Sequence, residues 1–243
     1  MKKIVLLLSS IFLWGNELSV YLGNLEIDNK FGNYSGFLFK SNSEDETIGY
    51  KIGLKKIYIK KNDFTQTENY FSVKQELELD THLEFGFQNI VNRMNDGNIY
   101  MLNYYINNET DYEIGIDYSD YDLLSIEQIT IRMNRFIPDS SFYITPAYYG
   151  INVENDRFYN SLEFKIGYMY QKLDVSMLGL IGKTRYLVNN EYYSCNLGYE
   201  LNGIYQTEVN YQINVNYIVN FKATYYDIKD KLKVVNIALK YRY

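Results

Sequence analysis

The chain has 243 residues, 47% of them hydrophobic and 17% aromatic, with a net charge of −6. The negative balance, with no Lys/Arg run, excludes a nucleic-acid-binding stripe, so no nucleic acid is expected as a partner. A single cysteine, Cys195, excludes an internal disulfide, and no Cys/His cluster offers a metal or cofactor site.

The N-terminus reads "MKKIVLLLSSIFLWGNELS". Lys2 and Lys3 form a positive region, Ile4 to Trp14 a short apolar region, and Gly15 supplies a small residue before "NEL". This is the pattern of a cleaved signal peptide over residues 1–15. The apolar stretch is shorter than the about 20 residues that a helical membrane span needs. Residues 16–243 are then the mature unit.

From about Tyr34 onward, apolar and polar residues alternate with period two, the mark of β-strands with two unlike faces. In "THLEFGFQ", Leu83, Phe85 and Phe87 stand against Glu84, Gly86 and Gln88. In "TDYEIGIDYS", Tyr112, Ile114, Ile116 and Tyr118 stand against Glu113, Gly115 and Asp117. "FYITPAYYG" follows the pattern but contains Pro146, which predicts a bulge or a strand end there. "SLEFKIGYMYQ" sets Leu162, Phe164, Ile166 and Tyr168 against Glu163, Lys165 and Gly167. Cys195 sits in the apolar phase of "YYSCNLGYEL" and reads as a small hydrophobe on a strand face. In "YQTEVNYQINV", Thr207, Val209, Tyr211, Ile213 and Val215 share one phase and Gln206, Glu208, Asn210, Gln212 and Asn214 the other. The chain closes on "KVVNIALKYRY", where Val235, Ile237, Leu239, Tyr241 and Tyr243 stand against Asn236, Ala238, Lys240 and Arg242.

Turn signals such as "SNSEDE", "KNDFTQTE", "NDGN", "PDSS" and "VNNE" separate these runs. They predict about twelve to fourteen strands of about ten residues and connections that are short throughout. No composition shift marks a linker. The mature chain reads as one all-β unit.

A soluble sandwich and a membrane barrel both give such alternation, with the apolar phase inward in the first and outward in the second. Strands near ten residues match the 9–11 that a tilted membrane strand needs. The polar phase is charged even in mid-strand, as at Lys51, Lys74, Glu84, Glu113, Arg132, Glu163, Lys165, Glu208, Lys222 and Lys240. Tyrosines cluster near run ends, where a membrane–water interface favours an amphipathic ring. Mean hydropathy is −0.33, so the apolar residues are interleaved rather than gathered in blocks. The fold expected is a transmembrane antiparallel up-and-down β-barrel.

The terminal stretch resembles the C-terminal strand of bacterial outer-membrane β-barrel proteins, which alternates apolar residues and ends on an aromatic one. Leu239, Tyr241 and Tyr243 match that pattern, with Tyr where Phe is usual. The resemblance implies the cell outer membrane as the location, outer-membrane lipid and the barrel-assembly machinery as partners, and pairing of this strand with the first. It carries no enzyme-specific motif.

Inside such a barrel the lining would be Lys74, Glu84, Glu113, Arg132, Glu163, Lys165, Glu208, Lys222, Lys240 and Arg242. The signs are balanced, so no strong field of one sign is expected. The one histidine, His82 in "LELDTHLEFG", could serve as a general base, but no motif sets a serine beside it, and it reads as a polar residue at a tight connection. The acidic run Glu44 to Glu46 reads as a solvated loop. No catalytic residue and no cofactor are assigned. The functional expectation is a small, weakly selective porin-like channel for polar solutes. A closed structural barrel with a charge-filled lumen is the alternative, and a lipid-acting barrel enzyme stands behind both.

Overall fold

A computed structural model describes residues 17–27, 30–43, 47–59, 64–78, 80–92, 96–122, 124–154, 156–184, 188–189, 193–194, 201–228 and 231–242. The signal-peptide residues 1–15, Glu44 to Glu46, Cys195 and Tyr243 lie outside them.

Period-two alternation becomes strand after strand. β1 (Glu17–Ile27), β2 (Lys30–Asn42), β3 (Ile48–Ile59), β4 (Phe64–Glu78), β5 (Thr81–Asn92), β6 (Gly97–Ile106) and β7 (Thr110–Tyr121) follow in order. β8 (Leu124–Phe136), β9 (Phe142–Val153), β10 (Phe158–Tyr170) and β11 (Leu173–Thr184) continue the meander. A two-residue ladder, β12 (Val188–Asn189) with β13 (Tyr193–Ser194), stands apart. β14 (Leu201–Gln212), β15 (Tyr217–Asp227) and β16 (Leu232–Arg242) complete the sheet.

Every barrel strand pairs antiparallel with its neighbours, and β16 returns to β1, closing a barrel of 14 strands. The closing register runs from Glu17 opposite Arg242 to Ile27 opposite Leu232. Closure leaves no sheet edge with unpaired backbone groups, the condition for a sheet surrounded by lipid. The even strand number puts both described chain ends, Glu17 and Arg242, at the same end of the barrel. The opposite end carries the longest connection, residues 185–200 between β11 and β14.

Alternation sorts the side chains cleanly. Ile114, Ile116, Ile129, Ile131, Leu162, Phe164, Ile237 and Leu239 are large, apolar and exposed on the outside. Glu68, Glu84, Glu113, Asp117, Glu163 and Lys55 are buried on the inside. This is the reverse of a soluble protein. Outward aromatics gather at the terminus-bearing end, where Tyr217 packs on Tyr241 at 4.9 Å and Phe142 on Tyr168 at 4.9 Å. Others gather toward the far end, where Tyr205 packs on Tyr225 at 6.2 Å.

Inward tyrosines have a specific accommodation. Gly23 stands opposite Tyr34, Gly97 opposite Tyr121 and Gly167 opposite Tyr143. In each pair the ring lies over the glycine, where an added Cβ would strike it. A ring covering a cross-strand glycine is a known way to keep a glycine-bearing strand packed.

The structure departs from four expectations. β9 runs straight through Pro146, opposite Phe164 in β10, with no bulge. On the β8 side the pairing stops at Arg132 opposite Ala147 and resumes at Arg135 opposite Ile144 without a change of register. A strand residue directs its N–H to one neighbour only, so the missing donor is confined to that side. The bulges lie elsewhere, between Glu76 and Glu78 and between Ile181 and Thr184.

The run ending at Val215 stops at Gln212. Ile213 bonds the Tyr217 carbonyl across a turn, so Ile213 and Val215 belong to the β14–β15 connection. Phe64 to Glu68, read as part of a turn signal, are the first residues of β4 because Glu68 pairs with Lys55 inside. The connections are not short throughout, since residues 185–200 separate β11 from β14.

Candidate functional site: the barrel interior

The interior has two layers. The layer on the terminus-bearing side is charged. Lys51 Nζ donates to both carboxylate oxygens of Glu84 at 2.7 and 2.9 Å, and Glu84 also accepts from Ser72 Oγ at 2.6 Å. Deeper, beside the apolar layer, Lys55 Nζ lies 3.1 Å from both oxygens of Glu68, which stands opposite Ile90 and also accepts from Gln88 at 3.1 Å. Arg132 donates to Glu113 at 2.7 Å and to the Tyr149 hydroxyl at 2.7 Å, and Tyr149 donates on to Glu163 at 3.1 Å. Lys165 lies 3.9 Å from Glu208, which accepts from Asn220 at 2.6 Å.

The remaining lining residues are placed by register. Lys74 stands opposite Glu84, Lys222 opposite Glu208, and Lys240 opposite Ser19 and Ile218. Arg242 Nε donates to Glu17 at 3.3 Å at the barrel mouth, and Lys40 lies 3.5 Å from the same carboxylate. Leu239 and Tyr241 point outward on β16, with Leu239 exposed.

The layer toward the far end is apolar. Leu25, Ile90, Ile99, Met101, Tyr121, Ile126, Tyr149, Ile151, Leu180, Ile204 and Val234 form one buried cluster. These side chains come from strands all round the barrel and occupy the inward phase. Ile99, Tyr149, Ile151 and Leu180 have 0% of their surface exposed. An open, water-filled lumen would leave inward side chains wetted. Here they pack against one another.

The interior charge is balanced in sum but not in space. On the arc β15–β16–β1–β2–β3, Lys222, Lys240, Arg242, Lys40, Lys51 and Lys55 face Glu17. On the arc β4 to β14, Glu68, Glu84, Glu113, Asp117, Glu163, Asp174 and Glu208 face Lys74, Arg132 and Lys165. A field therefore runs across the lumen, in place of the evenly mixed lining expected.

Among the described residues His82 makes no contact with a serine. Its ring stacks on Tyr105 at 4.4 Å, and Nδ1 lies 3.2 Å from Asn107 Nδ2. Among the described residues no group of His, Cys, Asp and Glu could hold a metal.

Sequence reasoning missed Glu17, Lys40, Glu68 and Tyr149. Lys40 follows "FLF", where Phe37, Leu38 and Phe39 are apolar in both phases and hide the alternation. Glu68 was taken into a turn. Tyr149 shares the inward phase with Ala147 and Ile151, so its phase was legible, but its role as the link between Arg132 and Glu163 was not.

No protein-family model and no curated protein matches the sequence. Solved structures do. The Acinetobacter baumannii outer membrane protein Omp33 is similar over 95% of this chain and 99% of its own, with a TM-score of 0.58 and 12% identity. The Ralstonia pickettii toluene transporter TbuX is similar over 95% of this chain and 90% of its own, with a TM-score of 0.63 and 9% identity. The KdgM porin is similar over 93% and 99%, with a TM-score of 0.52 and 10% identity. With an apolar exposed wall and a charged interior, the chain is a bacterial outer-membrane β-barrel by fold. The likeness extends to channel-like members of that class and names no subfamily.

Proposed function

We propose that the protein is a channel-class outer-membrane barrel whose lumen is closed at rest by its own side chains. One observation carries this reading: Ile99, Tyr149, Ile151 and Leu180, from β6, β9 and β11, are fully buried inside the barrel. An apolar constriction gates by excluding water, and a layer packed to this degree passes no hydrated solute. Short periplasmic turns and longer outer loops are the rule in such barrels, so the terminus-bearing end faces the periplasm and the 185–200 connection faces outward. Outer-membrane lipid surrounds the exposed belt, and the barrel-assembly machinery receives the β16 strand.

Planar-bilayer recording of the refolded protein tests the reading. The intact barrel should give no steady current, and shortening the apolar layer by Tyr149→Ala with Leu180→Ala should give ohmic steps. Steady ohmic current from the intact protein would overturn it. That outcome belongs to the second reading, a constitutively open, weakly selective pore for small polar solutes, which the likeness to a named porin favours. The barrel is read as non-enzymatic. What supports this is the engagement of His82 by Tyr105 and Asn107 rather than by a nucleophile.

A further inference from the structure

Where β16 meets β1, a cavity of about 230 Å³ opens inside the barrel wall. Lys40, Lys51, Lys55, Lys222 and Lys240 line it, against the carboxylates of Glu17 and Glu208. A second space of about 240 Å³ shares Glu17, Lys40 and Lys51 and continues past Lys74 and Arg242 toward the terminus-bearing mouth.

We propose that this seam cavity binds a small dianion carrying carboxylate or phosphate oxygens, admitted from the terminus-bearing end. The proposal holds whether or not the lumen conducts, because the cavity is reached from the terminus-bearing mouth.

The first argument is a like-charge pair. Lys40 stands directly opposite Lys51 in the β2–β3 register. Like charges at directly opposed positions destabilise a sheet, and nothing in strand pairing requires them. The acids nearby offset them only in part. Glu17 lies 3.5 Å from Lys40 and accepts from Arg242 at 3.3 Å, so one negative charge is divided between two cations. Lys51 is held by Glu84, and Lys55 by Glu68. Lys240 forms no ion pair among the described residues. Glu208 is engaged by Asn220 and lies near Lys165. The cavity thus keeps a surplus of positive charge inside a low-dielectric wall, which focuses the field on whatever enters.

The second argument is convergence. Lys40 on β2, Lys51 and Lys55 on β3, Lys222 on β15 and Lys240 on β16 come from both sides of the seam and line one space, with Ser19 and Asn236 beside them.

Size then narrows the ligand. The cavity has room for several waters, and so for inorganic phosphate or a four-carbon dicarboxylate. Lysine suits this role as a compact point charge with three donors that can follow an anion of either geometry.

Isothermal titration calorimetry on the refolded mature barrel in detergent tests the proposal, with sodium succinate and inorganic phosphate as probes and glucose and choline as controls. Succinate or phosphate should bind saturably, more weakly at high salt, while glucose and choline should not bind. K40Q and K240Q should each weaken affinity at least tenfold. K56Q, which removes an exposed outward lysine, should leave it unchanged. Heat-dependent gel migration reports folding in each variant, and if K40Q fails to fold, K240Q carries the comparison. Selective binding of succinate names the carboxylate, and selective binding of phosphate the phosphoryl group. Heats that never saturate, or equal affinity in K240Q and K56Q, would overturn the proposal.

Discussion

Arg132 and Glu113 stand directly opposite one another in the β7–β8 register, and the guanidinium Nη1 lies 2.7 Å from the carboxylate. The pair is largely shielded inside the barrel, and Arg132 extends the chain to Tyr149. Removing one partner of such a pair leaves an uncompensated buried charge, at about 3–5 kcal/mol. Arg132→Met should lower unfolding stability by that order. Arg132→Met combined with Glu113→Gln should lose less than the two single changes together. Denaturant unfolding of the four proteins checks this, and strict additivity would show that the two charges do not interact.

Depth in the membrane should govern the cost of outward charges. Phe164, midway along β10, is 53% exposed on the outer face. Arginine at the midplane of a lipid-facing strand costs about 2–4 kcal/mol, and near the interfaces about 0–1. Phe164→Arg should therefore impair refolding strongly. Tyr211→Arg, next to the last residue of β14, should be mild, and so should the inward change Lys165→Gln. Equal refolding yields for Phe164→Arg and Lys165→Gln would contradict the assignment of faces.

Pro146 leaves β8 without a donor at one rung. Pro146→Val restores the N–H and supplies a residue suited to a strand, so stability should rise by about 1 kcal/mol. Unfolding midpoints of the two proteins decide it. A loss of stability would mean that the proline holds β9 in a shape the sheet needs.

The outward row of β16 should act during assembly. Tyr241 packs on Tyr217 at 4.9 Å near the membrane edge. Tyr241→Ala, or removal of Tyr243, should lower the amount of heat-modifiable barrel recovered from cells while refolding from denaturant in detergent proceeds. A parallel loss in both settings would assign these residues to stability instead.

Residues 1–15 should be missing from the mature protein. Intact-mass measurement on protein extracted from outer membranes should place the N-terminus near Asn16, and a chain retaining Met1 would refute the signal-peptide reading.

The barrel was legible because its alternation is strict where both faces are pure, as from Tyr112 to Tyr118. The interior was less so. Ile99 and Met101 occupy the phase assigned to the lumen, yet Tyr100 and Leu102 are apolar too, so the sequence shows no contrast there and nothing marks a packed layer. The segregation of charge was invisible for another reason. Lys40 and Lys240 are 200 positions apart in the chain and become neighbours only when β16 closes on β1. Residue counts record sign, whereas the field depends on closure.

The apolar inner layer also has a consequence before the barrel exists. In most of its length a strand of this kind has one sticky face and one soluble face. In β6, Ile99 to Leu102 are apolar on both, and so are Met177, Leu178, Leu180 and Ile181 in β11. Uncharged β-prone segments of this length are aggregation hazards while unfolded. Until the chain folds, both faces of these stretches stay uncovered. Lipid can later cover only one of their two faces, and the other is covered only when opposing strands arrive. The far half of the barrel therefore depends on insertion and closure happening together, and a chain stalled between the two would expose its most adhesive segments.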